Sequence, residues 1–249
     1  MRQQQQKWTD TRLNVVIPMS GNGSRFANAG YVLPKPLIDV NGVPMIKKVV
    51  DNLNVDANFI FICQQEHIEK YNLQLLLPSL VPNAKIVSVS GITQGAACSV
   101  LAASNFIDND DHLLIANSDQ YVEWESDDFF YQALSKDVDG SIVVFHNPEM
   151  NPKWSFAKTK DDLVIEVAEK KPISDLATVG IYYFKHGKDF VQAAKSMINK
   201  DIRVNNEFYV CPVHNELISA GKKINTYMCK KMWGIGTPED LDFYLKNFK

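Results

Sequence analysis

Glycine and cysteine are sparse in this chain of 249 residues, and no long apolar run is present. The four cysteines fall at 63, 98, 211 and 229. No two are close enough for a zinc knuckle or a thioredoxin-type pair. Cys63 and Cys98 sit among apolar or small residues and read as core thiols, the usage of a reduced, cytoplasmic protein. With no run of about 18 apolar residues and no charged-then-apolar start, neither a membrane span nor an export signal is expected. Excess positive charge is missing too. The net charge is −3 and the isoelectric point about 6.0, which argues against nonspecific binding to nucleic acid or acidic membranes. What remains is ordinary globular composition, 45% hydrophobic and 22% charged, long enough for one large α/β domain.

A stretch near the start of the chain carries the strongest signal. Leu13 to Ile17 reads as a buried strand that stops at Pro18. Gly21-Asn22-Gly23-Ser24-Arg25 follows, then Pro34-Lys35-Pro36. Glycines let a ligand approach the main chain, and successive N–H groups in such a loop can hold an anion. Arg25 offers a planar fork for phosphate oxygens, and Lys35 a point charge on a segment stiffened by prolines. The dinucleotide fingerprint G-x-G-x-x-G is excluded, because Phe26 stands at its third glycine, and the P-loop has no match. A Gly-rich turn with a surface arginine is the plain alternative; Ser24-Arg25 and Pro-Lys-Pro favour a polyphosphate site.

Along the chain, helical spacing over Val43 to Leu53, a strand at Asn58 to Cys63, a helix over Glu66 to Leu77 ending before Pro78, and a strand at Ala84 to Val89 predict parallel strands with helical crossovers. His112 to Ala116 is a further strand, and Asp119 lies just past it, where open α/β sheets bind ligands. A solvated turn aspartate is the competing reading. Asp127 to Leu134 and Phe190 to Ile198 read as helices. From Trp154 onward short strands predominate: Ser155 to Thr159, Leu163 to Val167 and Thr178 to Phe184. These predict an antiparallel addition to the sheet. Residues 1–12 read as a frayed tail, and 13–249 as a single domain in two parts, 13–150 with the glycine loop and 151–249 with the antiparallel addition.

The strand–G-x-G-[ST]-R–K-P pattern resembles the signature of nucleotidyltransferases that make activated sugars and related head groups, and this resemblance is what names 13–150 the nucleotide-binding part and 151–249 the acceptor-binding part. The wording Pro18-Met19-Ser20-Gly21-Asn22-Gly23-Ser24-Arg25-Phe26 is similar to the capsule and lipopolysaccharide-precursor branch, which includes cytidylyltransferases. The resemblance implies a three-layer α/β/α, Rossmann-like sheet, mixed but mostly parallel. It implies transfer of a nucleoside monophosphate from a triphosphate, CTP or dTTP favoured, to a phosphorylated acceptor, with release of pyrophosphate.

It also implies roles. Gly21 to Arg25 hold the triphosphate, with Arg25, Lys35 and Lys171 catalytic. Gln94 and Gly95 read the base, Asp119 holds Mg2+, and Lys171 and Gly180 meet the acceptor. Gln94-Gly95 could equally be the start of a tightly packed small-residue helix. Glu207 could touch acceptor or metal, or simply begin a helix. Glu169-Lys170-Lys171-Pro172 departs from the pattern, since Lys170 stands where the family often has a glutamate, which makes a hydroxyl-binding role for Glu169 doubtful. Met232-Trp233-Gly234-Ile235-Gly236-Thr237-Pro238-Glu239 resembles W-x-D-x-G-T-P-E, with Gly234 where the second metal aspartate belongs. Two other functions stay open: a glycosyltransferase using a nucleotide sugar, and a non-catalytic nucleotide-binding regulator. A homo-oligomer is also left open.

Overall fold

A computed structural model describes residues 7–248; the glutamine run at 3–6 lies outside the described residues. The chain begins with β1 (Trp8–Pro18), α1 (Ser24–Asn28) and a 3-10 turn at Lys35–Leu37. A small hairpin, β2 (Asp39–Val40) and β3 (Val43–Pro44), leads into α2 (Met45–Leu53). Then come β4 (Val55–Gln64), α3 (Gln65–Lys70), α4 (Leu73–Leu80), β5 (Lys85–Val89), α5 (Ala96–Leu101) and α6 (Ser104–Ile107). The middle holds β6 (His112–Ala116), β7 (Gln120–Glu123), α7 (Ser126–Ser135) and β8 (Gly140–His146). The remainder is β9 (Ser155–Lys160), β10 (Leu163–Glu169), β11 (Leu176–Phe184), α8 (Gly187–Asn199), α9 (Val213–Ser219), β12 (Ile224–Met228), β13 (Lys231–Gly234) and α10 (Pro238–Asn247).

Nine strands form one sheet in the order β5-β4-β1-β6-β11-β8-β12-β10-β9. β5, β4, β1 and β6 run parallel, as the strand–helix alternation predicts. β11 enters antiparallel between β6 and β8, and β9 and β10 extend the far edge antiparallel. Alternation along the strands divides the core. Val15, Ile17, Phe59 and Phe61 face α2, α4 and α7, whereas Val16, Ile60 and Ile62 face α5, α8 and α9. That is a three-layer α/β/α molecule. A third cluster joins Phe26, Ile38 and Met45 to Trp233, Leu241 and Tyr244, and so ties the glycine loop to the C-terminal helix.

Two local expectations are corrected. The first strand starts at Trp8, within the segment expected to fray. Trp8 pairs with Val55 and stacks on Phe130 at 5.7 Å, while Thr9 to Arg12 carry the polar side chains that hid the strand. The helix expected to stop before Pro78 is two helices, broken at Tyr71 and Asn72, where Asn72 turns left-handed with φ 50°. Pro78 sits in the last turn of α4, where it removes a single helical hydrogen bond near an exposed edge.

Candidate active site

A cavity of about 490 Å³ opens at the C-terminal ends of β1 and β6, the place where open α/β sheets take ligands. Gly21, Arg25 and Lys35 line one end. Gly23 begins α1 in the left-handed region at φ 59°, and a β-carbon there would meet Lys35 Cβ at 3.3 Å, so the loop packs directly on the Pro-Lys-Pro segment. Asn22 and Ser24 are exposed on the outer side of the loop. Phe26, standing at the missing third glycine, is buried in the third cluster and anchors the loop from beneath.

Asp119 follows β6 and faces Lys35, whose Nζ donates to Oδ2 at 2.8 Å. Both side chains are about a quarter exposed, so the pair is reachable from the cavity. Two glycines make room around it. A β-carbon on Gly236 would stand 2.3 Å from Asp119 Oδ2, and one on Gly180, where φ is 82°, would stand 2.2 Å from Asn117 Nδ2. Ile235 N–H donates to the Asp119 carbonyl at 3.0 Å. The two-stranded ribbon β7–β13, which pairs Gln120 with Gly234, brings the C-terminal segment to this spot.

On the third side the structure revises the reading of Gln94. Its side chain is exposed and off the cavity wall; its carbonyl accepts from Phe208 N–H at 2.8 Å. Gly95, at φ 126°, lies against the Phe208 backbone, and a β-carbon there would come within 2.5 Å of both Phe208 N and O. What faces the cavity is a chain of hydroxyls that sequence reasoning missed. Thr93 Oγ1 and Ser99 Oγ are 2.6 Å apart, and Ser99 Oγ and Ser20 Oγ 2.8 Å. Isolated Ser and Thr residues 79 positions apart give no signal until the fold joins them.

The opposite end is lined by Trp154, Glu169, Lys170, Gly180, Glu207 and Tyr209. Here the resemblance points to Lys171, the second of two lysines. It is exposed and outside the cavity wall, whereas Lys170 lines the cavity and donates to Tyr209 Oη at 2.6 Å. The cause is backbone: Lys170 has φ 54°, so the chain turns at the end of β10 and sends the second lysine outward. Glu169, which the shifted motif made doubtful, also lines the cavity and accepts from Ser155 Oγ. Burial pushes its carboxyl above the usual range and neighbouring Glu207 adds to this, while the Ser155 hydrogen bond and Lys170 oppose it. Glu207 itself is exposed at the rim, in a bridge with Val204 ahead of α9, and does not begin that helix.

At the C-terminal motif, Thr237 caps α10 by accepting from Asp240 N–H at 3.1 Å, with Pro238 in the first turn. Asp240 lines the same cavity as Asp119. Among the described residues no three acidic, histidine or cysteine side chains gather round one point. Asp119 is the carboxylate that the resemblance gives to Mg2+, an ion that takes one or two carboxylates and fills its remaining positions from phosphate and water. The four cysteines are free thiols; burial pushes Cys63 up to about 12, so it is inert. Among the described residues no helix is long and apolar enough to cross a membrane.

Comparison with known proteins adds to this geometry. The family model described as nucleotidyl transferase matches residues 14–243. A glucose-1-phosphate adenylyltransferase of Fusobacterium nucleatum is 30% identical over 91% of this chain and 64% of its own length. The bifunctional protein GlmU of Methanococcus aeolicus is 26% identical over 95% of this chain and 56% of its own. The chain thus spans less than two thirds of the length of these curated relatives. The crystal structure of a nucleoside-diphosphate-sugar pyrophosphorylase from Vibrio cholerae RC9 superposes with a TM-score of 0.79, at 26% identity, covering 94% of this chain and all of that one. An inositol-1-phosphate CTP transferase of T. maritima shares the fold, at TM-score 0.71 and 13% identity, with 96% and 97% of the two chains covered.

Proposed function

Because this chain belongs to the nucleotidyl transferase family, we propose that it moves a nucleoside monophosphate from a triphosphate to a phosphorylated acceptor, releasing pyrophosphate. A sugar 1-phosphate is the acceptor class that the relatives' activities favour. CTP and dTTP are the favoured donors, from the wording of the glycine loop. The product would be an activated precursor for surface polysaccharide.

One observation carries the reading: Lys35 and Asp119 meet at 2.8 Å where the glycine loop and the end of β6 converge, with Lys170 across the same cavity. Gly21 and Arg25 would hold the departing pyrophosphate. Lys35 would meet the α-phosphate, and Lys170 would present the acceptor phosphate for in-line attack. A phosphate monoester is already ionised near neutrality, so the chain needs charge neutralisation and alignment, not a base. Magnesium, held through Asp119, would supply further neutralisation at the α- and β-phosphates. Thr93, Ser99 and Ser20 offer hydroxyls to the base, and Glu169 and Glu207 offer acceptors to hydroxyls of the second substrate.

The test is pyrophosphate release with Mg2+, the four common ribonucleoside triphosphates and dTTP, against a panel of phosphorylated acceptors. One pairing should turn over, and Lys35→Ala should slow it by about a hundredfold to a thousandfold. A folded Lys35→Ala protein with near-normal turnover would remove Lys35 from the chemistry.

A further inference from the structure

Position 234, where the resemblance implies a second acid, holds glycine, yet the space beside it contains a carboxylate. A β-carbon built on Gly234 would stand 3.4 Å from Oδ2 and 3.5 Å from Cγ of Asp240. Two residues on, a β-carbon on Gly236 would stand 2.3 Å from Oδ2 of Asp119. The two glycines therefore have one carboxylate beside each, and both carboxylates line the same cavity as Arg25 and Lys35; the Trp154 ring also stands 3.6 Å from the β-carbon at 234.

Asp240 has two evident structural duties, and neither uses Oδ2. Its N–H donates to Thr237 Oγ1 at 3.1 Å, which starts α10. Its Oδ1 accepts from Lys153 Nζ at 3.1 Å. Oδ2 is the oxygen that approaches Gly234. A separate observation comes from Gln120, the cross-strand partner of Gly234. It is 2% exposed and lines the cavity, and its Nε2 has no hydrogen-bond partner among the described residues. Buried amide donors are normally paired. Here such a donor is left available to an acceptor brought into the cavity.

We propose that Asp240 supplies the second carboxylate to the divalent cation that Asp119 holds with the triphosphate, in place of an acid at 234. This rests on the function proposed above. Two carboxylates, with phosphate and water completing the shell, meet the coordination habit of Mg2+.

The test uses Mn2+ as probe. The signal of free Mn2+ in electron paramagnetic resonance is titrated against the protein, alone and with inorganic tripolyphosphate. Asp240→Asn, which keeps the N–H and the shape, should weaken Mn2+ binding by at least about tenfold. Returning an acid to the family position, as Gly234→Asp in an Asp240→Ala background, should restore binding to within about threefold of the parent, since second-sphere changes alone cost more than that. The β-carbon at 234 makes only ordinary contacts, so the position admits a side chain. A purely structural role, through the side-chain ion pair with Lys153, would lower the melting temperature, leave Mn2+ binding alone, and show no rescue from 234. Unchanged Mn2+ affinity in a folded Asp240→Asn protein overturns the proposal, as does a parent protein that binds no Mn2+ under either condition. The titration needs no turnover, so a failure of pyrophosphate release would be seen separately.

Discussion

At Lys170 the backbone adopts φ 54°, and the two lysines after Glu169 part company, one into the cavity beside Tyr209 and one into solvent. A charge-assisted contact of about 1.5–3 kcal/mol corresponds to roughly a tenfold to hundredfold change in binding. Lys170→Ala should therefore raise the acceptor KM by about that factor, and Lys171→Ala should leave it within about twofold, as steady-state kinetics at saturating triphosphate will show. Nothing in a Glu-Lys-Lys string discloses this division, because left-handed turns are usually announced by glycine or asparagine. Glu169 carries a pH signature. Its raised folded value means that the fold prefers the protonated acid. Its contribution is complete below the ordinary carboxylate value and is lost as pH rises through the raised one. Glu169→Gln should accordingly raise the melting temperature at pH 7 and have little effect at pH 4, in paired thermal melts.

Among the elements, long apolar strands such as β4 and β6 could be read from sequence, since burial on both faces leaves an unbroken hydrophobic run. The ribbon β7–β13 could not. Its strands have four residues each and lie about 110 positions apart, linked for instance by Trp233 Nε1 to Glu123 Oε1 at 2.7 Å. The junction of the 91–97 segment with Phe208 was equally hidden. Gly95 signalled a close approach, but toward an assumed base; the partner in the structure is Phe208 backbone. Gly95→Ala must displace that backbone and hold alanine at φ 126°, a strain of about 1–3 kcal/mol. The variant should melt several degrees lower and show a raised triphosphate KM. Gly21→Ala, with nothing within 4 Å of its β-carbon, should melt like the parent.

Across the whole molecule, the change of pattern near residue 150 marks a change of strand direction inside one continuous sheet, because β11 returns to pair with β6. The glycine loop and the acceptor-side residues thus share a rigid floor, and Gly180 on β11 touches Asn117 beyond β6. The sequence displayed the groups at each end but not their common wall, which depends on pairings between distant strands. The ion pair at that wall has a further meaning. Lys35 and Asp119 satisfy each other in the free protein, and the molecule carries a slight negative excess overall. A triphosphate arriving with its own cation is already partly self-neutralised. On the function proposed above, docking would be a change of partners between two couples, anion for anion and cation for cation, with little net charge captured. Discrimination at such a wall comes from whether the new couples fit its geometry, and long-range attraction has only a small part in it.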